Sequence, residues 1–266
     1  MFNCHSYLGN PFSYPETIHP MAAHYTNIDY FDSKLWTRSS IRYEDLLHKK
    51  IILFAGDSFT FGLGLKYKDT FSNIIHEEMF NTDEYIIINI GHPGASNDFI
   101  SMRVQQWVNE FSKNIAAIVI GFSFLSRRLH YHNTTETFYS DNTMIDITED
   151  MYSFNPANNV NTNLYYAYIE TQSYINDLRN LERILLQNYY MSKATGIKMY
   201  WFSLFNKQLS NSDCAVIKSH FNKETFVHID IEDLEIPVIS PTDGHWNEEG
   251  NKVIANTIME RLKLDF

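Results

Sequence analysis

The stretch Ile51-Ile52-Leu53-Phe54-Ala55-Gly56-Asp57-Ser58-Phe59-Thr60-Phe61-Gly62 decides the fold class. Ile51 to Phe54 are apolar, two of them β-branched, and the run that follows Lys49-Lys50 stops at Gly56, which reads as a short buried strand. Gly56, Asp57 and Ser58 then favour a turn, with Gly62 and Gly64 close behind, so a polar side chain is presented at the strand's carboxyl end. Open α/β sheets place their sites there. A serine on such a turn, with its own backbone N–H beside it, suits a nucleophile whose amide helps hold a developing oxyanion. Ser58 is therefore the residue against which the rest of the chain is read.

Outward from this strand the pattern repeats. Asp69-Thr70 caps a predicted helix through Phe71, Ile74, Ile75, Met79 and Phe80, and a second strand follows at 85–90, ending at Gly91-His92-Pro93-Gly94. Ser96-Asn97-Asp98 reads as the cap of a helix through Phe99, Val104, Trp107, Val108 and Phe111, and a third strand runs over 116–121. Strand, helix, strand, helix, strand is the signature of a parallel sheet covered on both faces. Further on, Leu164, Tyr168, Ile175, Leu178, Leu181, Leu185 and Tyr189 recur at helical spacing up to Gly196. A fourth strand is predicted at 197–202, and a short fifth at either 226–229 or 236–239, before a closing helix through Val253, Ile254, Ile258 and Leu262.

Two segments break the rhythm. Residues 1–48, with Pro11, Pro15 and Pro20, read as an irregular N-terminal extension packing across the sheet edge. Residues 122–162 are rich in Ser, Asn, Thr, Asp and aromatics without a period, and a loop of that length is expected to be a lid or insertion over the carboxyl edge of the sheet. The 266 residues are otherwise expected to form a single domain.

Composition bounds the partners. A formal charge of −11 with no concentrated basic patch argues against nucleic acid and anionic membranes, the nearest clusters being Lys49-Lys50 and Arg127-Arg128. Cys4 and Cys214 lie far apart without metal-type spacing, so free thiols are expected, with neither a disulfide framework nor a metal site. No signal-peptide pattern or span-length apolar run is present, from which a cytoplasmic or otherwise intracellular location is expected. His130 and His132 share a His-x-His spacing that reads as part of a solvated loop.

The last polar block is Thr242-Asp243-Gly244-His245-Trp246-Asn247-Glu248-Glu249-Gly250. An aspartate and a histidine two residues apart, in a predicted turn before the closing helix, supply what a serine nucleophile needs: His245 to take the Ser58 proton and Asp243 to hold the other ring nitrogen. The order Ser, Asp, His is one of several that build this geometry on unrelated folds.

Gly56-Asp57-Ser58-Phe59-Thr60 resembles the first block of the SGNH (GDSL-like) hydrolases, Asn89-Ile90-Gly91-His92-Pro93-Gly94 their second, and Asp243-Gly244-His245-Trp246-Asn247-Glu248-Glu249-Gly250 their last. The resemblance spans about residues 50 to 262. It implies a three-layer α/β/α sandwich with a flavodoxin-like parallel five-stranded sheet, ester or acyl chemistry, and Ser58, Asp243 and His245 as the triad. It also implies an oxyanion hole made by the amides of Ser58 and of Gly94, with Gly91 as second choice. Two departures stand out. The family ends its third block in Gly-x-Asn-Asp, whereas this chain has Gly121-Phe122-Ser123-Phe124-Leu125-Ser126-Arg127; Ser123, Arg127 or a lid residue such as Asn133 is the expected substitute donor. Losing one such donor typically costs about 10² to 10³ in rate. The family also places Asp three residues before His, where this chain has Thr242; the Asp-x-His-Trp form resembles that of SGNH-like alginate O-acetyltransferases.

The expected function is a serine esterase acting through an acyl-enzyme on a small-molecule or carbohydrate ester, without metal or organic cofactor. An O-acyltransferase and a catalytically degenerate binding module are the alternatives. The Tyr and Trp residues of the lid and the extension, which stack on sugars, motivate the carbohydrate reading.

Overall fold

Alternation along the first strand sets what each residue packs against. The computed structural model describes residues 31–32, 37–39, 46–125, 128–132, 137–141, 174–204, 211–232 and 234–266. Strand β1, Lys50–Ala55, points Ile51, Leu53 and Ala55 to one side of the sheet and Ile52 and Phe54 to the other. Both sides are apolar because both are covered, as parallel sheets require. β2 (Tyr85–Asn89), β3 (Ile115–Phe122), β4 (Lys198–Ser203) and β5 (Phe226–His228) complete a five-stranded sheet of order β2-β1-β3-β4-β5 with every pairing parallel. That is the flavodoxin-like doubly wound order, whose switch point lies between β1 and β3.

Helices cover each face. Ile51, Leu53, Ile118, Ile120, Met199 and Trp201 are buried under α3 (Asn97–Phe111), α4 (Tyr174–Thr195) and α5 (Asn211–Phe221). Ile52, Phe54, Val119, Tyr200 and Phe202 are buried under α2 (Phe71–Ile75) and α6 (Glu248–Leu262). Cutting a residue such as Leu53, which is fully buried, to alanine would cost about 2–5 kcal/mol. The caps fall where short polar side chains precede apolar runs: Thr70, Ser96 and Asn247 accept from Asn73, Phe99 and Gly250 N–H groups. The segment predicted as one helix from Phe71 to Phe80 is α-helical only to Ile75 and widens into a π turn over His76–Phe80.

Several expectations are corrected or refined. Of the two candidates for the fifth strand, Phe226–His228 joins the sheet. Val238–Ser240 instead forms β6, an antiparallel hairpin with β7 (Asp243–Trp246). Ile175 belongs to the predicted apolar stripe yet is 59% exposed, since it sits in the first turn of α4, before the helix meets the core at Leu181, Ile184 and Leu185. Leu164 and Tyr168 lie outside the described residues. So does most of the 122–162 insertion; beyond Leu125 its described part is an antiparallel ribbon, Arg128–His132 against Thr137–Asp141, that carries His130 and His132. From the extension, Thr37–Arg38 pairs with Phe31–Asp32 and lies beside edge strand β2. Among the described residues, no helix is long and apolar enough to cross a membrane.

Candidate active site

The chain turns sharply after β1 into α1, Ser58–Phe61, a single helical turn with Ser58 at its first position. One turn cannot hold itself, because nucleation costs more than so few hydrogen bonds return. Its neighbours hold it. Asp57 caps the amino end, its Oδ1 accepting from Phe59 N–H at 3.0 Å. Gly62 closes the carboxyl end at φ +73°, a conformation open to glycine, and donates to Phe59 O at 3.1 Å. Close packing demands glycine at two further points: a Cβ on Gly56 would lie 2.0 Å from Thr60 Oγ1, and one on Gly91 2.5 Å from the Phe61 nitrogen.

The histidine arrives from the far end of the chain. The block containing Asp243 and His245, predicted as a turn, is strand β7. That explains the spacing, since side chains two apart on a strand share a face. His245 Nδ1 lies 2.6 Å from Asp243 Oδ1, and His245 Nε2 lies 2.8 Å from Ser58 Oγ across 187 residues of sequence. With the Nδ1 proton donated to the carboxylate, Nε2 is left to accept from the Ser58 hydroxyl. Asp243 Oδ1 also accepts the His245 backbone N–H at 3.1 Å, and Ser240 Oγ accepts the Asp243 N–H at 3.0 Å, so the pair is fixed within its own hairpin. The Phe59 ring, 4.9 Å from the imidazole and 5.0 Å from Trp246, packs the hairpin against α1.

The predicted oxyanion donors fare differently. Gly94 occupies a turn over His92-Pro93-Gly94-Ala95, closed by Ala95 N–H to His92 O at 3.0 Å, with φ +79° at Gly94. The loop is tied to the Ser58 turn by His92 N–H to Gly56 O at 2.9 Å. Gly91 donates its amide to Asn89 Oδ1 at 2.9 Å and is thereby committed. Ser123, expected to point its hydroxyl into the site, is fully buried and donates instead to Asp57 Oδ2 at 2.6 Å. A hydroxyl has one proton, and a buried carboxylate beside it is the stronger acceptor. Ser123 therefore supports the Ser58 turn from behind. Arg127 and Asn133 lie outside the described residues.

Three supporting residues escaped the sequence reading. Asn97, recognised only as part of a helix cap, grips the Ser123 backbone at both ends, Oδ1 accepting its N–H at 2.7 Å and Nδ2 donating to its carbonyl at 3.1 Å. Asn89, fully buried at the end of β2, donates to Thr60 O at 2.7 Å and to Ser72 Oγ at 3.0 Å. Arg38, 1% exposed, donates through Nη1 to Phe61 O at 2.8 Å and Gly62 O at 2.6 Å. An asparagine ending a strand was the one available signal. For Arg38 there was none.

Burial pushes the His92 imidazole down to about 4, so it is neutral beside the turn at neutral pH. Burial and the neighbouring Glu232, whose Oε1 accepts from the thiol at 3.1 Å, push Cys214 up to about 11, which makes it a poor nucleophile. Among the described residues, no group of His, Cys, Asp and Glu is placed to hold a metal ion. A cleft of about 700 Å³ opens at the β6–β7 hairpin. Its lining includes Phe59, Gly244 and Trp246, the chain neighbours of Ser58 and His245, with Phe124, Leu204 and Ile236.

No protein-family model matches the chain, and no curated protein matches it. Among solved structures, members of the G-D-S-L lipolytic family recur. A member of that family from Veillonella parvula is 13% identical with a TM-score of 0.43, covering 80% of this chain and 97% of its own. The psychrotrophic esterase EstA from Pseudoalteromonas sp., in a structure inhibited by monoethylphosphonate, is 11% identical with a TM-score of 0.48, covering 81% and 97%. A GDSL-like lipase from Bacteroides thetaiotaomicron is 14% identical with a TM-score of 0.42, covering 86% and 93%.

Proposed function

We propose that the protein is a serine ester hydrolase of the SGNH type that works through an acyl-enzyme on Ser58. The observation that carries this reading is the unbroken line from Ser58 Oγ to His245 Nε2 at 2.8 Å and from His245 Nδ1 to Asp243 Oδ1 at 2.6 Å. Ser58 Oγ attacks the ester carbonyl carbon while its proton passes to His245 Nε2. As the tetrahedral intermediate collapses, the carbonyl carbon–alkoxy oxygen bond breaks and Nε2 returns that proton to the departing alkoxide. Water repeats the sequence on the acyl-enzyme, releasing the acid and restoring Ser58. Asp243 stays ionised and stabilises the imidazolium. The amides of Ser58 and Gly94 are the proposed oxyanion donors. No step calls for a metal or organic cofactor.

The alkoxide collects its proton from His245, so the leaving alcohol belongs on the side of the β6–β7 hairpin. The cleft lies there, and its mainly apolar and aromatic lining suits the alcohol part of a small-molecule ester or the apolar face of an acylated sugar. A fluorophosphonate probe tests the assignment directly. Stoichiometric labelling of Ser58, lost in Ser58→Ala, is the expected result; labelling at another residue, or none on the folded protein, would overturn the reading.

A further inference from the structure

We infer that Arg38, contributed by the segment ahead of the α/β core, is a positioning residue for the Ser58 nucleophile, an inference that rests on the ester-hydrolase reading of Ser58. The argument begins with the carbonyls of the nucleophile turn. Asp57 O receives the Phe61 N–H at 2.9 Å, Ser58 O the Leu63 N–H at 3.0 Å, and Phe59 O the Gly62 N–H at 3.1 Å. Beyond these the helix has ended, and the next carbonyls draw on donors from elsewhere in the fold, Gly62 O receiving the local Leu65 N–H at 3.2 Å as well. Thr60 O takes the Asn89 side chain at 2.7 Å; Phe61 O and Gly62 O take Arg38 Nη1 at 2.8 and 2.6 Å, and Leu65 O takes Nη2. One guanidinium thus closes the carboxyl end of the helix whose amino end carries Ser58.

The chemistry favours arginine specifically. Its planar fork presents several donors in fixed directions, whereas a lysine ammonium is a flexible point donor. Its positive charge also lies at the negative end of α1, where a cation is stabilising. The Phe61 ring, with the guanidinium carbon 5.0 Å from its centroid, covers the group. A charge buried to 1% exposure is costly unless its donors are used, and here Nη1 and Nη2 are spent on the nucleophile turn. The same segment grips the turn a second time: Ser39 Oγ accepts the Asn89 N–H at 2.9 Å, and Asn89 holds Thr60 O. Because α1 is a single turn, a shift at Phe61 and Gly62 passes directly to Ser58, and nucleophile geometry tolerates little displacement.

The test compares Arg38→Ala and Arg38→Lys with wild type in the full chain. The readouts are kcat and KM for p-nitrophenyl acetate, the rate of fluorophosphonate labelling and the folded fraction by circular dichroism. Arg38→Ala is expected to lower kcat and the labelling rate about 10- to 100-fold with KM within about 3-fold. Arg38→Lys is expected to fall several-fold. Millimolar ethylguanidinium should restore part of the Arg38→Ala rate, where ethylammonium should not. A purely structural role predicts wild-type kcat per folded molecule in both variants, with loss confined to the melting temperature; that result, or a folded and slow Arg38→Ala that ethylguanidinium leaves slow, overturns the inference. If Arg38→Ala does not fold, Arg38→Lys decides by the same kcat and KM criterion. Failure of wild type to label at Ser58 counts against the ester-hydrolase reading alone. The Ser58 Oγ to His245 Nε2 distance in a crystal structure of Arg38→Lys then decides for Arg38, lengthening supporting the inference and an unchanged distance refuting it.

Discussion

Ser58 reaches the site from a buried turn, and His245 reaches it from a surface hairpin. Around Ser58, which is 4% exposed, Asp57, Asn89, Ser123 and Arg38 are buried polar groups whose hydrogen bonds are spent on one another or on backbone carbonyls and amides. Around His245 the pairing of β6 and β7 is irregular, Val238 and Ile239 are each 39% exposed, and the imidazole is oriented by Asp243 and faced by Phe59. Buried hydrogen-bonded networks are rigid and costly to disturb, whereas exposed hairpins open at low free energy. The difference separates two kinds of damage. Mutations around Ser58 are expected to cost stability and activity together, while mutations on the hairpin cost activity with little effect on stability.

The sharpest way to break that comparison is His245→Ala. Ester hydrolysis should fall by about 10³-fold or more while the melting temperature moves by no more than about 2 °C, checked by kinetics and thermal unfolding on the same sample. A large loss of stability would mean that the hairpin is as integral to the core as α1. Next in size is Asn89→Ala, which removes the bonds to Thr60 O, Ser72 Oγ and Gly91 N–H; denaturant unfolding should show a loss of about 2–3 kcal/mol together with reduced activity.

Acid should act mainly through buried imidazoles, His92 on the Ser58 side among them. Burial depresses the folded pKa of His92 to about 4, below the ordinary value of 6.5, so between those values the unfolded chain binds a proton that the folded chain does not. The stability contributed is complete above about pH 6.5 and is lost as pH falls toward 4. Denaturant midpoints measured from pH 7 to 4 should therefore decline, and less steeply in His92→Gln. The smallest effect is expected on the hairpin: Ser240→Ala removes the acceptor of the Asp243 N–H and should cost at most about 1 kcal/mol, with kcat down a few-fold from a less well oriented Asp243.

Much of this architecture was legible in the residues. Apolar runs of strand length ending at Gly56 and Gly91, helices of period 3.6 between them, and Thr70 and Ser96 at their starts are local facts, and local spacing determines local structure. The pairing of Ser58 with Asp243 and His245 was legible as well, because an acid and a base two residues apart carry a chemical signature wherever they fold. The short polar block around His245 was misread as a turn, since four residues offer too little period to show a strand. Tertiary structure alone decided that Ser123 turns away onto Asp57, that Gly91 is committed to Asn89, and that Arg38 closes the Ser58 helix from a segment with no period of its own. The physical reason is that such bonds depend on which unsatisfied donors and acceptors the folded backbone brings within about 3 Å of one another, and that distance is set by the packing of the whole sheet and its helices, not by the neighbours of any residue in sequence.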